Sequence, residues 1–101
     1  MALRYWAYIF LSPGFEAKQH TSTMESKECR CKVVGIDMSK KEQVVDIAKQ
    51  LVSEGVQLIE LCGGFGPYWI TKVSEAINNA VPIGGVFYGP EARKPMLEIL
   101  S

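Results

Sequence analysis

Gly55 to Pro67 reads GVQLIELCGGFGP, an apolar run carrying one carboxylate and one thiol that empties into three glycines and a proline. Val56 to Cys62 is too continuously apolar for a strand with one wet face, so it predicts a buried strand of a parallel sheet. Gly63 to Gly66 then predicts a tight loop, and Pro67 a first helical residue, with Ile70, Val73, Ala76 and Ile77 as the buried stripe of the helix that follows. A strand, a glycine loop and a helix in that order form the junction at which open α/β sheets hold small ligands, with a helix amino terminus available to an anion.

Working outward, Leu3 to Leu11 (LRYWAYIFL) is apolar and aromatic on both faces beyond Arg4, which predicts a central strand covered on two sides. Ser12-Pro13-Gly14 stops it, and Phe15 to Ser26 is read as a polar helix despite the poor helix formers Thr21, Ser22 and Thr23. Cys29 to Ile36 alternates Arg30 and Lys32 with Cys29, Cys31 and Val33, the look of a charged edge strand with one solvated face. Ser39 and Glu42 have the spacing of a capping box, after which Val44, Ile47, Ala48 and Leu51 recur at helical spacing until Gly55. Asn78-Asn79 ends the next helix, Ile83 to Tyr88 is a fourth strand, and Gly89-Pro90 leads into a last helix around Met96, Leu97, Ile99 and Leu100. The expectation is a single α/β domain over residues 1–101, with a four-stranded parallel sheet in the order 2-1-3-4 and helices on both faces. The alternative is a half-barrel of four β/α units, (βα)4. Either arrangement brings the strand ends Ser12, Asp37, Cys62 and Tyr88 to one rim.

Composition narrows the function classes. Of 101 residues 48% are hydrophobic, and 11 basic residues balance 11 acidic ones, so there is no field to gather nucleic acid or an acidic membrane surface. No segment approaches the ~20 apolar residues of a membrane span. Arg4 with Tyr5 to Leu11 faintly imitates a signal peptide, but Ser12-Pro13-Gly14-Phe15 replaces the small-residue cleavage site, so the run is read as a strand. Three cysteines cannot all pair within one chain, which points to a reducing, cytoplasmic setting. Cys29-x-Cys31 lacks zinc-ribbon spacing and a second ligand pair, so no metal is expected.

Glu60 stands out because a carboxylate among Leu58, Ile59, Leu61 and Cys62 in a buried strand must be paired, protonated or exposed at the sheet's end. It is read either as a general base or acid at the mouth of a cleft or as a structural acceptor for a loop or a partner subunit. Cys62 is either a nucleophile activated by the helix amino terminus or a small apolar core residue. Gly63-Gly64-Phe65-Gly66 fits neither the dinucleotide fingerprint nor the P-loop, and no cofactor follows from it. Its glycines either cradle an anion with backbone N–H groups or supply positive φ for a sharp turn. Tyr68 and Trp69 flank the loop as pocket walls or as a subunit contact. The expected binding set is Ser12, Gly63, Gly64, Phe65, Gly66, Tyr68 and Tyr88, with Glu60 and Cys62 as the groups for chemistry.

Two resemblances enter at these residues. YIFLSPGF, VVGI, GVQLIELCGGFGP and VPIGGVFYG together resemble a family of small prokaryotic proteins, about a hundred residues long, catalogued as a domain of unknown function; the resemblance implies one compact α/β domain and no activity. Locally, Gly55 to Pro67 is similar to the second strand and following loop of the tryptophan synthase alpha subunit, with Glu60 where that family keeps a catalytic glutamate and Phe65 and Pro67 near its phenylalanine and proline. The aspartates that accompany that loop in the family have no counterpart here. Three functions stand side by side: a small-molecule enzyme or sensor binding an anionic or carboxylate metabolite at the glycine loop, a non-catalytic homo-oligomeric interaction protein, and a thiol-based redox-responsive protein using Cys62. A homodimer is expected, since a four-stranded sheet leaves open edges and Trp6, Tyr68, Trp69 and Phe87 are large aromatics to hide.

Overall fold

Strand β1, Tyr5–Leu11, pairs in parallel on both sides, with β3, Arg30–Ile36, and with β4, Ile59–Leu61. β4 in turn pairs in parallel with β5, Ile83–Gly85. The computed structural model describes residues 2–100. The remaining elements are strand β2, Thr21–Glu25, and helices α1, Gln43–Ser53, α2, Gly66–Ala76, and α3, Arg93–Leu100, the last preceded by a 3-10 turn at Pro90–Ala92.

The chain is α/β, as its sequence predicts, but the sheet departs from the expected one in detail. It has five strands in the order β2-β3-β1-β4-β5, and the fifth member, β2, runs antiparallel to β3. The expected helix over Phe15 to Ser26 is therefore wrong. Thr21 and Thr23 are β-branched and suit a pleated strand better than a helix, and β3 offers them an unpaired ladder, with Thr21 opposite Val34 and Glu25 opposite Arg30. β3 consequently lies inside the sheet rather than at its edge. Its charged side is solvated at Arg30, which is exposed, and partly covered at Lys32, which lies in register with Ala7 and whose ammonium reaches the Glu54 carboxylate at 2.9 Å. An antiparallel edge strand also breaks the repeat that a (βα)4 half-barrel needs.

One face of this sheet holds the core. Ala7, Ile9, Ile36, Ile59 and Leu61 are fully buried and form one cluster with Val44, Ala48 and Leu51 of α1 and Val73 of α2. Burial of each of the isoleucine, leucine and valine side chains among them is worth roughly 1.5–3 kcal/mol, enough to seat both helices on this side. The expected covering on both faces is not found. Residues of β1 that point the other way, Trp6, Tyr8 and Phe10, are only half-buried, and α3 contributes no buried residue anywhere.

Local sequence sets the element ends. Gly55 takes φ +98° after α1, and Asn78 and Asn79 take φ 54° and 55° after α2, each a left-handed stop. The expected capping box does not form. The α1 cap residue is Glu42, without a side-chain hydrogen bond, because Ser39 is engaged elsewhere: its hydroxyl and its N–H both donate to the Asp37 carboxylate, which also accepts from the Gly14 N–H. These donors hold Asp37 well below the usual carboxylate range, at about 2, and tie the loop after β1 to the loop after β3.

Two outcomes follow from this packing. Gly35 is buried, and a Cβ there would lie 2.5 Å from Phe15 Cδ2 and 2.8 Å from Phe10 Cζ, so Gly35→Ala is expected to destabilise by ~1–3 kcal/mol in urea unfolding, and an unchanged midpoint would contradict the packing. Because folding depresses the Asp37 pKa, its contribution to stability is present above the ordinary value near pH ~4 and is lost as pH falls through about 2. Acid titration of the unfolding midpoint should therefore fall less steeply between pH ~4 and ~2 in Asp37→Asn than in the parent chain.

Candidate functional site

Parallel pairing brings the carboxyl ends of β1, β3, β4 and β5 to one rim, and the glycine loop leaves that rim between β4 and α2. Cys62 N–H donates to Ile9 O at 3.0 Å and Val86 N–H to Leu61 O at 3.0 Å, so the chain stays in the sheet up to the first glycine. Of the three loop glycines only Gly66 has a positive φ, +77°. Gly63 and Gly64 are small for another reason. A Cβ on Gly63 would meet the Tyr88 ring at 3.0 Å and Val86 O at 3.2 Å, and one on Gly64 would meet Leu11 Cδ1 at 3.0 Å and Cys62 Sγ at 3.7 Å. Both glycines are places of close approach, and among the described residues neither of their N–H groups has a backbone or side-chain acceptor.

The expected binding set separates into parts. Gly63, Gly64 and Tyr88 come together in the wall of a groove of about 580 Å³ whose opposite side is α3, with Arg93, Met96, Leu97 and Leu100 facing it. Phe65 is instead a core residue, 4% exposed, and belongs to the packing of α2. Tyr68 is 65% exposed, stands edge-on to Trp69 with 5.5 Å between ring centres, and lies beneath the Lys72 ammonium. Ser12 lies at the β1–β3 end of the rim, where its N–H donates to Ile36 O and its carbonyl accepts from Phe15 N–H. Neither Tyr68 nor Ser12 lines the groove.

Glu60 corrects the premise of a buried carboxylate. It sits in β4 in register with Tyr8 and Gly84 and points to the side of the sheet that the helices leave open, so it is exposed. Three residues suffice to bury Ile59 and Leu61 on one side while wetting Glu60 on the other. Cys62 is half-buried, and its Sγ accepts the Leu11 N–H at 3.3 Å. The residue that unites these groups is Tyr8, which no sequence feature singled out. Burial, followed by the charges that Cys62, Tyr88 and Glu60 can carry nearby, pushes the Tyr8 phenol up from its ordinary value. Tyr8 and Glu60 thus lie side by side on the open side of the sheet, with Cys62 and Tyr88 near enough to act on the Tyr8 phenol, and Tyr88 also lines the groove.

A family model matches residues 4–101, nearly the whole chain. The chain belongs to DUF6506, a family of unknown function. No curated protein and no solved structure matches this DUF6506 chain, so the local likeness to the tryptophan synthase alpha subunit finds no support. Among its described residues no group of three or more His, Cys, Asp or Glu side chains is placed to hold a metal ion, and no helix is long and apolar enough to cross a membrane. Cys29, Cys31 and Cys62 are free thiols, each half-buried.

Arg93 and Tyr8 are the members of this neighbourhood that sequence reasoning passed over. Arg93 had a visible signal, a guanidinium at the start of the last helix just after Gly89-Pro90; Tyr8 had none, because its partners are set by strand register. Spectrophotometric titration of the phenols should contain a component above the ordinary ~10 that disappears in Tyr8→Phe. Retention of the high component in Tyr8→Phe, with an ordinary one lost instead, would contradict this placement.

Proposed function

We propose that this chain binds a small metabolite carrying a carboxylate or phosphate on an apolar body, in the groove between the Gly63–Gly64 loop and α3. The observation that carries the reading is the opposition of two unlike walls across one space. On one side are the Gly63 and Gly64 backbone N–H groups, without acceptors among the described residues; on the other are the Arg93 guanidinium and the apolar side chains of Met96, Leu97 and Leu100. Guanidinium and amide donors favour a planar anionic head, while the methionine and leucines suit a hydrocarbon or aromatic body. A volume of about 580 Å³ falls within the ~300–1,000 Å³ of small-ligand sites. Tyr88, 60% exposed against Gly63, supplies an amphipathic side wall with a hydroxyl at its end.

Glu60 and Cys62 lie outside the groove wall, and no chemical step is assigned to them. Glu60 stands where it would meet a hydroxyl or amine of a ligand that extends past Tyr88 towards Tyr8, which keeps its charge away from the anionic head. The reading is therefore one of binding.

Thermal-shift measurements with octanoate, phenylacetate and phenyl phosphate test it. At ten times its dissociation constant a bound probe contributes about 1.4 kcal/mol, a rise of roughly 6–10 °C for a chain of this size. The rise is expected to vanish in Gly64→Val, where the added side chain fills the loop, and to fall at least tenfold in affinity in Arg93→Ala. Absence of any rise with all three probes, or a rise that survives Gly64→Val, would refute the groove.

A further inference from the structure

Cys31 of β3 has Trp6 of β1 beside it in the sheet and Met24 of β2 on its other side. Directly opposed residues of neighbouring antiparallel strands share one side of the sheet with Cβ atoms about 5 Å apart, so the Met24 thioether and the Cys31 thiol stand together. Their side is the one that the helices leave open, because the next residue, Lys32, is in register with the buried Ala7. Cys29, two residues back along the chain, borders the same shallow dent of about 310 Å³ as Trp6, Met24 and Cys31. The chain has 3 cysteines and 4 methionines, and two of the former meet one of the latter in this dent.

The dent's remaining residues, Glu25, Ser26 and Arg30, have partners of their own. Glu25 and Arg30 pair with each other at 3.3 Å, and the guanidinium lies 5.0 Å from the centre of the Tyr5 ring, which packs against the core on the helix-covered side. Ser26 Oγ accepts the N–H groups of Glu28 and Cys29, each at 3.1 Å, so the turn between β2 and β3 holds the backbone at Cys29 in place. Both thiols are outside any disulfide and half-buried, Cys29 Sγ making a 3.7 Å contact with Arg30 O, and Met24 is 59% exposed. The sulfur-bearing side chains are therefore open to solvent.

We propose that this dent binds one monovalent copper ion through the Cys29 and Cys31 thiolates and the Met24 thioether, with the Trp6 ring alongside. The proposal goes beyond the metabolite-binding reading and does not rest on it, since the dent lies at the amino ends of β1 and β3 and the groove at the carboxyl rim. Softness and number of ligands select the ion. Thiolate and thioether sulfur favour monovalent copper, zinc and iron–sulfur clusters, and the last two call for four protein ligands. Among the described residues no three His, Cys, Asp or Glu side chains gather to supply them, and Cys29-x-Cys31 has no second pair. A monovalent d10 ion is satisfied by two or three sulfurs, and an aromatic ring beside it adds cation–π attraction. Binding displaces the two thiol protons to solvent, and the ion keeps its oxidation state.

Anaerobic titration of cuprous ion between the full chain, its thiols kept reduced, and the chromogenic chelator bicinchoninate tests the site. The chain is expected to withdraw one ion per molecule from the chelator, and to hold zinc far more weakly in a parallel competition. Cys29→Ser and Cys31→Ser should each weaken retention about 100-fold, and Met24→Leu, which keeps the apolar volume and removes the thioether, about tenfold. Met38→Leu, in the loop after β3, should change nothing. Far-ultraviolet circular dichroism checks that each variant folds, and Cys29→Ser, which lies before the first residue of β3, carries the test should Cys31→Ser fail to fold. No copper withdrawn from the chelator, zinc held as tightly as copper, or retention unaltered in Cys29→Ser or in Met24→Leu would overturn the proposal.

Discussion

The packing of Ala7 and Ile9 beneath α1 and α2 is the constraint from which the rest of the molecule follows. Both residues are fully buried, and both lie in a strand that is hydrogen-bonded in parallel on its two sides. Parallel neighbours cannot be joined by a tight turn, so the chain must cross back over the sheet between β3 and β4 and again between β4 and β5. Those crossovers contain α1 and α2, and the apolar stripe of each is spent on the same side of β1. One interaction therefore settles the strand order from β3 to β5, the side that becomes the core and the rim at which the connecting loops gather.

The rim owes its chemistry to how little room that packing leaves. Tyr88 and Leu11 press on the positions a Cβ would take at Gly63 and Gly64, which leaves room only for glycine there. Further along, the absence of any buried residue in α3 means that this helix is not drawn onto the core and stands off from the loop, with the groove between. A better-packed last helix would close the groove. Weak attachment of one element and tight packing of another thus bound the same groove.

Spending both helices on one side has a cost on the other. Trp6, Tyr8 and Phe10 are left half-buried, and the loop after β1 covers only the upper part of that surface, where Phe15 packs edge-on to Phe10 and stacks with His20. The remainder gathers the tyrosine, cysteine and glutamate side chains into one neighbourhood, because alternation sends every second residue of each strand to the same side. Tyr88, which lines the groove, is also one of the groups that raise the Tyr8 phenol on the open side.

Local patterns determined much of this protein. The apolar runs around Ala7 and Ile59, the helical spacing from Val44 to Leu51, and the stops at Gly55 and Asn78-Asn79 are each properties of a few consecutive residues, and the α/β class and the glycine junction follow from them. Tertiary structure decided the rest. Thr21 to Glu25 became a strand because β3 presented an open ladder, and helix propensity over five residues that include two threonines is too weak to oppose it. Glu60 became exposed because α1 and α2 chose the same side, a choice that no residue near Glu60 records. Tyr8 acquired its neighbours, and Arg93 its groove, only through register and the placement of α3. Periodicity reports which residues share a side of an element, and only the packing of whole elements reports which side meets water.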